Sequence, residues 1–538
     1  MGWWSGGELC KTKHATDLAS ALADVGRPLF LLNSDDDLAI AEGGVVDLCD
    51  RRPDAALPIS AIVPPCLPQD LGDPQFRRDH GLQYAYVAGA MANGIASPEL
   101  VETMGRAGML GVYGAAGLTP DVVGTALDRL EASLGDQPYA SNLIHSPYEP
   151  ELEDAIVGLY IQRGLRLISA SAYLDMTLSI VRYRVAGIHT DAAGQVVTPN
   201  RIMAKVSRTE VANKFFAPPP AAMLAELVRR GELTEAQANM ARTIPVAQDL
   251  TVEADSGGHT DNRPALAQFP TMLALRDRRQ DEYQFQQKLR VGAAGGIATP
   301  QAAAAAFAMG AAYILTGSVN QACLEAGTSD AVRKLLAQVE QADVRMAPAA
   351  DMFEMGVHLQ VTNRQTMFPM RAQKLYELYA AHGSLEAIPA QARAALEKTI
   401  FRMPLEEVWL DTVKFWNTRD PQQIERAERD PHHKMALTFR WYLGQSSRWA
   451  NAGVQGREMD YQVWCGPAMG SFNEWAQGSY LEPWQNRRAV PIALNILRGA
   501  AILTRANTLA SQGIEVSSAL LDLAPRESVE AFESLTDV

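Results

Sequence analysis

From Tyr84 to Gly317 the chain repeats one pattern: a short, continuously apolar run, a loop rich in Gly, Ser or Thr, then a helix-forming segment. The runs are YAYVAG, GMLGVYG, YASNLIHS, LRLISASAY, RYRVAG, RIMAKVS, DLTVEA, LRVGAAG and AAYILTG. A strand with one face in water alternates apolar and polar residues, whereas a run that is apolar throughout is covered on both faces, as in a parallel sheet flanked by helices. The helix starts are marked. Ser97-Pro98-Glu99 and Thr119-Pro120-Asp121 each supply an N-cap, a proline at the first helical position and an early acidic residue. So many βα units favour a closed (β/α)8 barrel over an open doubly wound sheet.

Such a barrel occupies about 250 residues, and the chain has 538, so the remainder must be additions. Residues 1–80 mix short apolar runs with clusters such as VPPCLPQDLGDP and read as an N-terminal extension packed on the main domain. Residues 81–345 are the expected barrel. A helical insertion at about 215–245, APPPAAMLAELVRRGELTEAQANMARTIP, reads as a cap beside the barrel mouth. Residues 346–510 are expected to form a mainly helical C-terminal domain, and residues 511–538 an acidic, weakly patterned tail.

A net charge of −14 with a pI near 5.2 argues against a nucleic-acid binder, which would show a basic face. Five scattered cysteines without a CxxC pair suggest neither a disulfide framework nor a zinc site, so no metal is expected. The start MGWWSGGELCKTKHATDL lacks the apolar core of a signal peptide, and the apolar run at 302–315 is broken by Gly310 and too short to span a bilayer. A cytoplasmic location and no membrane contact are the expectation.

Chemistry concentrates at the strand ends. In EADSGGHTDNRP two glycines allow a sharp bend and are followed by His259, the side chain best suited to proton transfer near neutral pH; a surface-loop histidine is the plain alternative. VGAAGGIATPQ and AAYILTGSVNQ are consecutive strand-to-helix junctions whose exposed backbone N–H groups suit an anion, so Gly295, Gly296, Gly317 and Ser318 are candidates to hold a cofactor phosphate. The first loop, Gly89 to Gly94, is small enough for a flat ring to lie across the mouth, although helix–strand packing explains it as well. Asn142, Lys205 and Asp255 are polar residues in or at the ends of apolar strands. Lys205 needs either a bound anion or ring or an ion-pair partner. His432-His433 lies in a charged stretch that reads as solvated. No GxSxG, Walker A or GxGxxG motif appears in a convincing context, which disfavours a serine hydrolase, a P-loop NTPase and a Rossmann dehydrogenase.

The ordered set AGAMANGIAS, SNLI, AKVS, EADSGGHTDNRP, AAGGIATPQAAAAAFAMGA and LTGS resembles the nitronate monooxygenase and flavin-dependent enoyl-ACP reductase superfamily of FMN-binding TIM barrels. The fuller SGGHTDNRP, with MFPMRAQKLYELY, ERDPHHKMALTFRWYLGQSSRWANAG and WCGPAMGSFNEW, is similar more specifically to the PfaD family of trans-acting enoyl reductases of polyunsaturated fatty acid and polyketide synthases. The resemblance implies FMN against Gly89, Ala90 and Met91, with Asn142 and Lys205 on the ring or ribityl chain. It puts Gly295, Gly296, Gly317 and Ser318 on the phosphate loops. His259 falls on the catalytic histidine, Asp255 orients its loop, and Asp255 and Gly258 count among the cofactor-binding residues. It further implies NADPH or NADH as hydride donor and acyl carrier protein domains as partners; the assembly state stays open, a homodimer among the options. Arg263 and the pair Arg487-Arg488 are the candidate contacts for an acidic carrier. A nitronate-type monooxygenase and a non-catalytic docking component of a synthase are the rival readings.

Overall fold

The computed structural model describes residues 2–7, 9–11, 14–34, 37–147 and 149–527. Eight parallel strands form a closed barrel: β1 (Tyr86–Ala88), β2 (Leu110–Tyr113), β3 (Tyr139–Ile144), β4 (Leu167–Ser171), β5 (Arg201–Val206), β6 (Asp249–Glu253), β7 (Arg290–Ala294) and β8 (Ile314–Thr316). β8 closes on β1 with Ile314 beside Tyr86, Leu315 beside Val87 and Thr316 beside Ala88, so neither strand is left as an edge. The fold is therefore a (β/α)8 barrel. RYRVAG is not a strand but ends the helix Leu178–Val185. Short apolar runs are ambiguous in this way, because a buried helix and a buried strand look alike over six residues.

The barrel interior is packed rather than hollow. Val87, Leu110, Val112, Ala140, Met203 and Leu315 share one buried cluster with Phe76 and Tyr313. Phe76 belongs to helix α1 (Pro74–His80), which plugs the N-terminal end; its ring stacks on Tyr313 at 4.2 Å. At that end Asp249 accepts from Arg290 Nε at 2.6 Å and lies 2.8 Å from His80 Nε2, and Arg290 also donates to Asp79 at 2.6 Å. Each of these charges is hydrogen-bonded, the condition under which buried charge is tolerated.

The insertion lies at the closed end of the barrel, which corrects the expected cap at the mouth. Its helices, Ala221–Arg229 and Glu235–Ala241, follow the helix Thr209–Phe215. The chain leaves and returns where Val246 N donates to Ala217 O and Ala247 N to Phe215 O, just before β6 begins. An insertion after a barrel helix sits in an αβ connection, on the face opposite the strand C-termini.

Helix α2 (Pro300–Ala308) follows β7 on the barrel's outer ring. Beyond the barrel, a hairpin of β9 (Val344–Pro348) and β10 (His358–Thr362) precedes helix α3 (Phe368–Ala381). With α4 (Pro431–Ala452) they build a second core around Phe353, Phe368, Leu375, Phe401, Phe439 and Tyr442. The region expected as one helical domain thus divides, because helix α5 (Ala489–Ala510) belongs to the barrel's own core. By length and composition α5 is apolar enough to cross a membrane, with a mean hydropathy of 1.3, yet 72% of that window is buried inside the fold. It packs on α2 and on the N-terminal sheet, whose six strands among the described residues include Leu29–Ser34 and Leu57–Val63. Residues 511–527 also pack down: Leu521 is buried and Asp522 accepts from Arg498 at 2.7 Å. Residues 528–538 of the expected tail lie outside the described residues.

His432 and His433 are not solvated. His433 is buried, with Nε2 2.9 Å from Gln423 Oε1, and the His432 ring stacks on Tyr379 at 4.0 Å. The charged residues around them face outward while the N-terminus of α4 turns both rings into the second core.

α5 lies tightly against the barrel at Gly499, where an added Cβ would lie 2.6 Å from Pro300 Cβ and Cγ. A forced methyl costs about 1–3 kcal/mol, against up to about 1 kcal/mol gained from helix propensity, and the proline ring cannot swing aside. Gly499→Ala should therefore lower the urea midpoint with an unchanged m-value.

Candidate active site

Nearly every residue singled out in the sequence lies at the C-terminal end of the barrel. Side chains alternate along a strand, so Asn142 shares the inward face of β3 with Ala140, and Lys205 shares that of β5 with Met203, two interior residues. Asn142 is 5% exposed and donates to Ser169 O at 2.9 Å and Ser171 Oγ at 3.0 Å, which fixes it across β3 and β4. Lys205 has a protein partner: Nζ lies 2.6 Å from Glu253 Oε1 on the neighbouring strand, and Ser256 Oγ donates to the same oxygen at 3.0 Å. Glu253 was missed in the sequence; its signal is an acidic residue ending the strand next to a strand-end lysine.

The candidate glycines divide into two kinds. A Cβ on Gly89 would lie 2.4 Å from Leu315 Cδ2, and one on Gly295 would lie 2.7 Å from the Ala254 carbonyl carbon, so packing requires both. Gly295 also has φ +83°. A Cβ on Gly296 or Gly317 meets no atom within 4 Å. Those two loops, after the paired strands β7 and β8, leave open space against their backbone. Ser318 follows, its Oγ accepting from Gly466 N at 3.2 Å. Ala90 and Met91 are half-buried at the end of β1, and Asn93 in the same loop donates to Ser447 Oγ of α4 at 3.2 Å.

The His259 loop is held from both sides. Gly258 and His259 form a two-residue strand that pairs antiparallel with Gln360 and Leu359 of β10. The Gln360 amide donates to Asp255 Oδ1 at 2.9 Å and to Ser256 O at 3.0 Å. A Cβ on Gly257 would lie 2.9 Å from the backbone of Cys465, so the WCGP segment rests directly on this loop. Burial pushes the Cys465 thiol up to about 12, which makes it an inert packing group. His259 Nε2 lies 3.0 Å from Asp351 Oδ1, and the imidazole remains one-third exposed. Burial pulls its proton affinity down, but the Asp351 carboxylate outweighs this and leaves the pKa above the ordinary value. Asp351 was not foreseen. It is 92 positions away in sequence, in an alanine-rich loop without a motif.

Of the four residues after His259, two are structural. Thr260 Oγ1 donates to Ala254 O at 3.3 Å, and Asp261 takes both Arg208 Nε at 3.0 Å and Nη2 at 2.9 Å, with Ser207 Oγ at 2.5 Å. Asn262 and Arg263 are exposed. Arg487 is not a surface contact, which corrects its expected role toward a carrier. It is 1% exposed, donates to Leu481 O and Asn473 Oδ1 at 2.9 Å each, and covers the Phe472 ring. Its neighbour Arg488 is exposed and pairs loosely with Glu325 at 3.8 Å.

Residues 78–377, more than half of the chain, match the family model for nitronate monooxygenase. The chain belongs to the nitronate monooxygenase family. It is 38% identical to the enoyl reductase domain of MlnA from the macrolactin cluster of Bacillus amyloliquefaciens. That structure matches with a TM-score of 0.78 over 82% of this chain and 99% of the domain. The chain is 48% identical over 89% of its length to a component of the polyunsaturated fatty acid synthase of Thraustochytrium sp., and 44% identical over 81% to polyketide biosynthesis protein PksE of Bacillus subtilis. It spans 32% and 56% of those two proteins, respectively. Residues 382–461 match the inserted helical domain of [acyl-carrier-protein] S-malonyltransferase.

Arg208, the foremost cause, and burial set against it leave the Asp261 carboxyl at about 2. Its folded pKa lies below the unfolded value of about 3.9, so its contribution is present above that value and is lost as pH falls toward 2. Wild type should exceed Asp261→Asn in stability by less than about 1 kcal/mol at neutral pH, the size expected of a partly exposed pair. That gap should close between about pH 4 and pH 2 in parallel thermal melts.

Proposed function

We propose that the chain is an FMN-dependent enoyl reductase acting in trans on α,β-unsaturated thioesters carried by acyl carrier protein domains, with NADPH or NADH as the hydride source. What supports this most is the 38% identity and TM-score of 0.78 to an enoyl reductase domain matched over 99% of its length. The residues at the barrel mouth suit the cofactor. The open space against Gly296 and Gly317, with the Ser318 hydroxyl beside it, fits a phosphate; the small loop of Gly89, Ala90 and Met91, on the strand that pairs with β8, fits a flat ring; Asn142 and Lys205 lie on the inward faces of β3 and β5. Bound there, FMN would supply the hydride transfer from the nicotinamide to the β-carbon of the enoyl thioester.

The chain's own part is binding, orientation and a proton. His259 stands over the mouth, where Lys205 and Glu253 act on its charge, and it supplies a proton at the α-carbon. A raised proton affinity favours this donor role over that of a base abstracting an α-proton, as a nitronate-type oxidation would require. The Lys205–Glu253 pair would hold a cation toward the bound ring without leaving an unpaired carboxylate facing it. Arg263, exposed at the end of the His259 loop, and the exposed Arg488 are the remaining candidates for an acidic carrier.

The purified protein should be yellow, with a flavin spectrum bleached anaerobically by NADPH and restored by an enoyl-carrier substrate. Gly317→Val should lose flavin. His259→Ala should keep the flavin and lose about 100-fold or more in turnover, the usual share of a positioned acid. Turnover of a nitroalkane in place of the enoyl substrate would favour the monooxygenase reading, and a colourless protein the non-catalytic one.

A further inference from the structure

His259 is one half of a pair assembled from two separate cores. Its loop grows from β6 of the barrel, whereas Asp351 lies in the turn after β9, and the two side chains meet at 3.0 Å. Asp351 is held by its surroundings. On one side Ala349 N donates to Val357 O at 2.9 Å, which closes the hairpin turn. On the other, two residues on, the fully buried Phe353 sits among Tyr376, Tyr379 and Phe439 of the second core. Glu354 follows and accepts from Arg440 of α4 at 3.2 Å. The register between Gly258–His259 and β10 sets the distance across which the two groups meet. Barrel loops alone would leave the imidazole free to rotate; here its Nε2 is committed to a carboxylate and Nδ1 is the nitrogen left for chemistry.

We propose that Asp351 is the positioning residue of His259: it accepts the Nε2–H, fixes the ring and its tautomer, and so directs Nδ1 at the substrate above the barrel mouth. The proposal rests on the enoyl reductase reading. In that reaction the Nδ1–H bond breaks as the α-carbon–hydrogen bond forms, the hydride having reached the β-carbon. The imidazole is left neutral with Nε2–H still on Asp351 and regains its proton from solvent. The charged groups facing His259 are Asp351 and Glu253, which favour the imidazolium, and Lys205, which opposes it; Arg440 in turn steadies the Asp351 carboxylate. The second core therefore supplies one of the active-site groups rather than merely flanking the barrel.

The test is Asp351→Asn, which keeps shape and removes charge, beside Asp351→Glu, which keeps charge. The His259 ring is followed by NMR titration in the flavin-loaded protein, its signal assigned by loss in His259→Ala. Asp351→Asn should move the His259 titration to lower pH and carry the alkaline limb of the kcat profile down with it, because the acid form is lost sooner as pH rises. kcat should drop by about 10- to 100-fold, as for loss of a partner that orients a reacting histidine, with KM and flavin content little changed. Asp351→Glu should restore most of the titration and the rate. If Asp351→Asn leaves both the titration and the alkaline limb where wild type has them, the assignment is overturned. Should wild type fail to reduce any enoyl thioester, the functional reading falls, and the NMR titration still decides the pair.

Discussion

Two hydrophobic cores meet at the short pairing of Gly258 and His259 against Gln360 and Leu359. A barrel positions groups at its strand ends but leaves long loops free, and the loop that carries His259 runs from Ala254 to Pro264 before the next helix starts. Backbone pairing, the Gln360 amide on Asp255 and Ser256, and the Asp261–Arg208 bridge convert that loop into an extra strand of the C-terminal hairpin. A catalytic side chain must be held by packing and hydrogen bonds to within a fraction of an ångström of its working geometry. In this molecule the holding groups come mostly from beyond the barrel.

The opposite end of the barrel is a fixed base. Asp249, Arg290, His80 and the partly exposed Asp79 form a hydrogen-bonded polar cluster where β6 and β7 begin, and α1 covers it with Phe76. Such a cluster adds little net stability over a well-packed apolar one, yet removing a single partner strands the others and is costly. Conserving energy is not its evident use. Through Asp79 and His80 it ties α1 to the starts of β6 and β7 at the closed end.

The barrel was legible because both-face burial writes itself into composition: eight of the nine apolar runs are its strands, and the ninth failed because six apolar residues suit a buried helix equally. The strand-end candidates Asn142, Lys205, Gly296 and Gly317 were legible because polar or glycine residues interrupt apolar runs there. Asp351 was not, since a lone aspartate in a loop carries no pattern, and its role exists only once β10 brings it to His259. The insertion was placed on the wrong face because a Pro-rich start reveals a surface excursion but not whether a helix or a strand precedes it. Arg487 misled for a different reason: an arginine can be buried when backbone carbonyls accept its protons and a ring covers its face, as Leu481, Glu482 and Phe472 do here.

The two motifs WCGP and SGGH explain each other. A Cβ on Gly257 would collide with Cys465 backbone, and one on Gly466 would lie 2.8 Å from Gly257 N. Main chain therefore rests on main chain, an approach open only to glycine at both positions. Gly466 N reaches past this contact to Ser318 Oγ, the residue beside the open space at Gly317. One segment from the far C-terminal part of the chain thus touches both the histidine loop and the loop suited to a phosphate. Any change that lifts that segment must disturb the two loops together, which ties the position of His259 and the open space at Gly317 to a single close contact.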